Sequence, residues 1–453
     1  MKRLVFCFDG TWNRLDAQCP TNVVLTAESV LPLTPDATAQ VIFYDEGVGT
    51  SKGEELAGGM FGAGLVKNIA DAYRFLIFNY TPVDEIYVFG FSRGAYTARS
   101  FVGMLHVAGI LERRYASKAE EAVELYRRRD SSASYQEEVL CFRRDHSAGI
   151  CINAQERDWR TKAKLVSKDA PFLTIKYLGV WDTVGALGIP ARFAISKAID
   201  RKYLFHDTSL SNFVASGRHA VAIDERREDF VPTLWDNVDQ LNDSAGKKSS
   251  DADAPYQQKW FPGVHSAVGG GGERRGLSDQ ALDWILDGAR AAGLVLDAND
   301  QSSPIYSLKP DYSEYIENSE EQSLYYKLAN EFAAADRAPG PSELWEVSMS
   351  AQRRWLEDPK RLKDQRPYRP ATLARVKPQL DKLDPANFGL GEQPTANAEY
   401  DLYEVKRGDT LSGIAKELLG DPHRGVELYK ANLNKLDSPD RIYPGQVLRV
   451  PKH

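Results

Sequence analysis

The sequence predicts an α/β protein, a mostly parallel sheet with helical insertions, followed by a small separate βααβ unit. Three observations carry this. Short runs rich in β-branched and aromatic residues alternate with helix-patterned runs over the first 300 residues. One strand-like run ends in Gly-Phe-Ser-Arg-Gly directly before a helical pattern. A stretch of linker composition, Asp384–Glu399, sets the last residues apart.

Strands are expected at Arg3–Phe8 (RLVFCF), Val41–Tyr44 (VIFY), Glu85–Phe89 (EIYVF), Thr174–Val180 (TIKYLGV) and in the KWFPGV run before His265. Leu65–Tyr80 and Ala95–Leu111 carry apolar residues at helical spacing. Such alternation implies parallel strands covered on both faces. Residues 112–168 are charged and read as a helical insertion or cap over the site. SGRHAVAIDERR, around His219, reads as a helix, and Asn242–Pro255 (NDSAGKKSSDADAP) as a mobile polar loop. The division is then a catalytic domain over 1–300, a helical extension over 301–383, a linker over 384–399 and a terminal unit over 400–453.

Composition narrows the function. A chain of 453 residues exceeds one ordinary core. A net charge of −7 argues against nucleic acid as the main partner. The run after Met1 is too short and meets Asp9 too soon for a secretory signal, and no stretch approaches a membrane span. Synthesis in the cytosol is expected, with any export by a route that reads no N-terminal signal. The cysteines at 7, 19, 141 and 151 lack CxxC spacing, so no metal site is expected, and no cofactor.

Gly90-Phe91-Ser92-Arg93-Gly94 is the chemical signal. A serine on a sharp strand-to-helix turn needs small neighbours where backbones crowd, and the following helix points its positive end at the reacting oxygen. The same five residues without chemistry would be a glycine-flanked turn. In the α/β-hydrolase arrangement the acid and the histidine follow the serine in that order. Asp182 ends the TIKYLGVW run, where a carboxylate can orient an imidazole; its structural alternative is to cap the next turn. Of seven histidines, His106 lies inside the elbow helix, His423 and His453 in the terminal unit, and His146 and His206 in loop or cap regions. His219 and His265 remain, and His265, before the glycines 269–272, is the expected base. The oxyanion hole is expected from the Arg93 N–H and the loop after the first strand, with Gly10 and Thr11 as candidates. A rival reading of FCFDGT as an aspartyl-phosphate loop fails, because Cys7 occupies the nucleophile position.

FDGTWN, YDEGVGT (Tyr44–Thr50), GFSRGA (Gly90–Ala95), GVWDTVGALG (Gly179–Gly188) and WFPGVHSAVGGG (from Trp260), in that order, resemble a bacterial family of α/β-hydrolases. That family includes phospholipase effectors delivered by type VI secretion. The resemblance implies a triad of Ser92, Asp182 and His265 and cleavage of glycerophospholipid esters. It also implies an antibacterial toxin delivered to the periplasm of target cells, with secretion-apparatus and immunity proteins as partners. Ala267 departs from the pattern, since members often carry an acidic residue there.

YEVKRGDTLSGIAKELLGD and IYPGQVLRVP place two β runs, 402–406 and 446–450, around two helical segments. The unit resembles a LysM domain. That implies binding of N-acetylglucosamine-containing glycans such as peptidoglycan through Gly408, Asp409, Thr410, Leu411, Ile442, Tyr443 and Pro444. The alternative is a delivery adaptor. Three functions therefore stand: a phospholipase meeting the membrane surface, an esterase of cell-wall glycans, and a non-catalytic glycan-binding protein. Ala57–Val66 and Val184–Ile199 read equally as lipid-docking segments or as buried turns and helices; the basic Arg353–Lys377 stretch reads as a solvated helix face, with contact to anionic lipid heads as the alternative.

Overall fold

A computed structural model describes residues 1–10, 15, 17–47, 58–147, 149–185, 209–227, 230–297, 300–317, 335–388, 390, 400–406, 409–432, 436, 442 and 447–452. Side chains of 58–63 and of 386–387 are outside that description.

Strands β1 (Arg3–Phe8), β2 (Gln40–Asp45), β3 (Glu85–Phe91), β4 (Ile175–Trp181), β5 (Gly217–Ala222) and β6 (Tyr256–Phe261) form one sheet in the order β2-β1-β3-β4-β5-β6. Every neighbouring pair is parallel. The strands obey a period of two, so alternate residues feed two apolar layers. Leu4, Phe6, Phe8, Ile86, Val88, Leu178 and Val180 face one layer, shared with helices α2 (Gly58–Asn79) and α3 (Arg93–Ala108). Val5, Cys7, Tyr87, Phe89, Tyr177 and Trp181 face the other, built with α1 (Asn22–Ser29) and a later helix, Gly276–Ala291. Chain order reverses direction at β1, between β2 and β3, so the crevice beyond these strand ends is where such sheets place ligands.

Four expectations change. His219 lies on β5, not on a helix. The strand is an inner one, paired with β6 over 217–222 and with β4 over 217–220; the charged residues that suggest a helix follow it. The insertion over 112–168 is helical, as α4 (Ala119–Arg127), α5 (Ala133–His146) and α6 (Ala154–Lys162), but it braces the far end of α3 rather than covering the site. Arg143 donates to the carbonyls of His106 and Val107, the last turn of α3, where a cation offsets the helix dipole. The 16 residues of α3 put roughly 24 Å between that end and Ser92. Asn242–Pro255 is a built turn: α7 (Val238–Ser244) carries Asn242, which is buried and bonds both backbone groups of Tyr256.

After α8 (His265–Gly269) and α9 (Gly276–Ala291), the described residues of the segment expected as a helical extension, 301–317 and 335–383, are mostly short turns around α10 (Met349–Leu356) and α11 (Lys377–Leu380). Prolines at 339, 341, 359, 367, 370 and 378 keep the helices of 335–383 short. Val347, Ala351, Trp355, Leu373 and Val376 pack on Val221, Ile223 and Trp260. The Ser348 N–H donates to the Trp260 carbonyl at 2.9 Å, so this segment occupies the open edge of β6.

The terminal unit pairs β7 (Tyr400–Glu404) antiparallel with β8 (Val447–Pro451), with α12 (Leu411–Leu419) and α13 (Gly425–Ala431) between them. It has its own core of Val405, Leu411, Ile414, Leu428, Leu448 and Val450. Thr410 caps α12 by accepting from the Gly413 N–H at 3.0 Å, and Gly420 ends it at φ 75°.

Candidate active site

Ser92 joins β3 to α3 with φ 59° and ψ −125°, a conformation L-residues rarely adopt. The turn is possible because its flanks lack side chains. A Cβ on Gly90 would lie 2.6 Å from the Gly94 carbonyl oxygen, and one on Gly94 2.3 Å from the carbonyl oxygens of both Phe8 and Asp9. The Ser92 N–H donates to the Trp181 carbonyl at 3.0 Å, tying the elbow to β4. Its hydroxyl is thereby lifted off the strand towards β4 and β6.

Asp182 follows β4 and also has positive φ, 38°. His265 opens α8 after β6. The structure brings these three side chains together. Ser92 Oγ and His265 Nε2 are 2.8 Å apart, and His265 Nδ1 lies 2.5 Å from Asp182 Oδ2. With Nδ1–H donating to the carboxylate, Nε2 is left to accept the Ser92 proton. The ring is held between Phe91 and Phe230, with centroids 4.6 and 4.7 Å away. Its backbone N–H donates to Glu225 Oε2 at 3.2 Å, and Arg227 holds Glu225 through two bonds of 2.8 Å.

Electrostatics favour a neutral imidazole beside an ionised carboxylate. Burial pushes His265 below its ordinary 6.5, against the pull of the Asp182 hydrogen bond and charge. Burial would raise Asp182, but the Arg337 charge and hydrogen bonds from His265 and Arg337 outweigh it, holding the carboxyl well below the usual range. Arg337 donates from Nη1 to Oδ1 at 2.5 Å and from Nη2 to Oδ2 at 2.9 Å. Sequence reasoning missed Arg337, Glu225 and Phe230. Glu225 and Arg227 stand in a charge run that reads as surface, and nothing local marks the arginine of DRAPG.

The oxyanion candidates divide. Arg93 is the first residue of α3, so its N–H sits at the helix's positive end. Gly10, proposed as a donor, spends its N–H on Asp9 Oδ1 at 2.7 Å. That carboxylate is buried and also accepts from Thr21 and Tyr44, which corrects the expectation for Gly10. Thr11 lies outside the described residues, as do Gly408, Tyr443, Pro444 and 186–199 of the second candidate lipid-docking segment; 58–66 of the first open α2. His219 is a buried core residue: Nδ1 faces Gln258 Oε1 at 2.9 Å and Nε2 accepts from the Thr183 N–H. Ala267 is buried, and a Cβ on Gly263 would stand 2.7 Å from its Cβ. In the terminal unit Leu411 is core, and Asp409 accepts from Tyr403 and the Lys406 N–H. Ile442 packs against that core. Among the described residues no helix is long and apolar enough to cross a membrane.

A parallel sheet with a strained serine at its switch point, backed by a histidine and a carboxylate from neighbouring strand ends, defines an α/β-hydrolase-like chain. Residues 2–288 match the family described as "T6SS, Phospholipase effector Tle1-like, catalytic domain", and the chain belongs to it. Residues 403–451 match the LysM domain. The uncharacterized protein YEL023C of Saccharomyces cerevisiae is 29% identical over 247 residues, 51% of this chain and 32% of its own. The potassium binding protein Kbp of Escherichia coli O6:H1 is 52% identical over 51 residues, 11% of this chain and 34% of its own. The chain thus spans about a third of the length of these curated relatives. Two solved structures are similar at low identity. One is an uncharacterized protein from Pseudomonas aeruginosa, with TM-score 0.41 and 16% identity over 98% of this chain and 64% of that one. The other is the Tle1 effector bound to the VgrG spike of the type VI secretion system, with TM-score 0.31 and 18% identity over 59% of this chain and 51% of that one.

Proposed function

We propose that this protein is a serine-dependent carboxylic ester hydrolase acting on membrane glycerophospholipids, with the LysM domain as a glycan-binding module. One observation carries the reading: the continuous line from Ser92 Oγ through His265 to Asp182, at 2.8 and 2.5 Å. Ser92 Oγ attacks the acyl carbonyl carbon as its proton passes to His265 Nε2. The developing oxyanion is met by the N-terminal end of α3. When the tetrahedral centre collapses, His265 returns the proton to the departing lysolipid oxygen, leaving an acyl group on Ser92. Water then repeats the sequence, giving up its proton to His265 and releasing the fatty acid. Asp182 keeps the imidazole in the required tautomer and stabilises it once protonated. The lipid substrate and delivery by type VI secretion are supported by the family description rather than by the site geometry.

The test is hydrolysis of phospholipid vesicles, with fluorophosphonate labelling run in parallel. Wild type is expected to release fatty acid and to be labelled, and Ser92→Ala to do neither. Equal activity of the two proteins would end the serine reading. The LysM domain favours one second reading, an esterase of acylated cell-wall glycans. Activity on acetylated peptidoglycan with none on vesicles would select it.

A further inference from the structure

The chain beyond residue 300 lies outside the region matched by the catalytic family, 2–288, yet it enters the site. The Ala335 N–H donates to the Arg226 carbonyl at 2.9 Å, and Asp336 pairs with Arg226 at 3.0 Å. The next residue, Arg337, is turned inward and only 7% exposed. Its guanidinium grips both oxygens of Asp182, and the same two nitrogens donate to the carbonyls of Ala222 at 2.8 Å and Phe230 at 2.7 Å. Thr372 donates to the Ile223 carbonyl at 3.0 Å, and Tyr368 to Asp224 at 2.9 Å. Consecutive residues at the end of β5, 222 to 224, are therefore each held by a side chain from 337–372.

We propose that Arg337 is a positioning residue of the hydrolytic site, and that the working catalytic unit includes the segment through about residue 380. The inference rests on the serine-hydrolase reading above and deepens it. Asp182 Oδ1 accepts from the Ala222 N–H at 2.8 Å, and Oδ2 faces His265. These two bonds alone leave the carboxylate plane free to rock. A planar fork with two parallel N–H···O bonds fixes that plane, and the carbonyls of Ala222 and Phe230 fix the fork. Oδ2 is thus aimed at Nδ1, and the imidazole at Ser92. There is an electrostatic consequence too. The arginine offsets the negative charge behind His265, so the imidazolium gains less from Asp182 than it would from an unpaired carboxylate. Orientation is obtained at some cost in proton affinity.

Orientation and charge separate in two variants of the full chain. Arg337→Lys keeps the charge and loses the fork; Arg337→Ala loses both. kcat, KM and the acid limb of kcat/KM are measured on a soluble short-chain ester, with fluorophosphonate labelling of Ser92 and circular dichroism. Arg337→Lys is expected to lower kcat about 10-fold, with KM and the acid limb unchanged. Arg337→Ala should lower kcat about 100-fold. Its acid limb should move to higher pH by roughly one unit, since an uncompensated Asp182 makes His265 hold its proton longer. Millimolar guanidinium should restore part of the rate. A purely structural role would leave the acid limb in place and would not respond to guanidinium. Folded variants with wild-type kcat and an unmoved limb overturn the proposal; if Arg337→Ala does not fold, wild-type kcat in Arg337→Lys does so. A wild type that neither labels nor hydrolyses ester sinks the serine reading first, and this one with it.

Discussion

Gly94 and Asp9 approach so closely that a Cβ on Gly94 would stand 2.3 Å from the Asp9 carbonyl oxygen. The contact joins the loop after β1 to the first turn of α3, and so sets the distance between two of the strands around the switch point. The facing Asp9 side chain is itself fixed by Thr21, Tyr44 and the Gly10 N–H. The loop therefore cannot retreat without breaking a buried hydrogen-bond set.

Gly94→Ala is accordingly expected to be poorly tolerated. Both opposing atoms are backbone, so no rotamer change relieves the clash, and the cost should be about 1–3 kcal/mol or more. Denaturant titration and ester hydrolysis are the readouts. A variant with wild-type midpoint and rate would show that the elbow has slack the distances deny.

Ser92 makes the opposite prediction. With φ 59° and ψ −125°, a Cβ there is strained by about 1–3 kcal/mol. Ser92→Ala and Ser92→Gly both lose the hydroxyl, but only glycine escapes the strain. The glycine variant should be more stable than the alanine variant by about 1 kcal/mol, reversing the usual order within regular structure. Both should be inactive. Equal unfolding midpoints would remove the argument that the elbow stores strain.

The legible part of this fold was whatever repeats locally. Strands β1 to β4 announce themselves by β-branched and aromatic runs, and Ser92 by the glycines its turn demands. Asp182 and His265 each follow an apolar strand-like run, and hydrogen bonds join Ser92 to His265 and His265 to Asp182. What stayed hidden is set by partners remote in sequence. HAVA at 219–222 is too short and too lightly β-branched to stand out, and becomes a strand because β4 and β6 flank it. The Gly10 N–H is taken by the Asp9 carboxylate, a bond that the glycine-rich loop sequence does not announce. Arg337 meets Asp182 across 155 positions, a pairing with no local trace.

The pH dependence of hydrolysis follows from His265. The base must be neutral to accept the Ser92 proton, and burial holds its pKa below the ordinary 6.5. The acid limb of kcat/KM should therefore lie below pH 6.5, activity falling only as pH drops through the lowered value. Asp182→Asn should cut kcat by about 10⁴, because the amide can present its N–H to Nδ1 and favour the wrong tautomer. An acid limb at or above pH 7 in wild type would contradict the buried, neutral imidazole.

His219 bears on stability instead. Burial, then the Arg99 charge, pushes it down to about 3, and its Nε2 accepts the Thr183 N–H next to Asp182. Between pH 6.5 and about 3 the unfolded chain binds this proton and the native protein does not, so stability is lost as pH falls through that window. The full effect is roughly 5 kcal/mol, reached near pH 3. Asp45 and Asp224, which burial pushes up to about 6, act in the opposite sense: the native carboxyls protonate first, so acidification favours the fold. The comparison must therefore be between proteins. His219→Gln should lose less stability than wild type from pH 6.5 to 4; parallel curves would rule the linkage out.

The terminal unit offers a separation of binding from hydrolysis. Asn432 is fully buried; its amide donates to the carbonyls of Leu428 and Arg449 and accepts from the Arg449 N–H, all at 2.8 Å. It thus pins α13 to β8 across a core too small to absorb the loss. Asn432→Ala strands two carbonyls and an N–H, at about 1–3 kcal/mol for each group left unsatisfied, more than so small a unit holds in reserve. In the full chain it should abolish sedimentation with insoluble peptidoglycan while ester hydrolysis stays at the wild-type rate. Retained sedimentation by a variant whose terminal unit is protease-sensitive would place glycan binding elsewhere in the chain. Lost hydrolysis would mean that the two units depend on each other for folding.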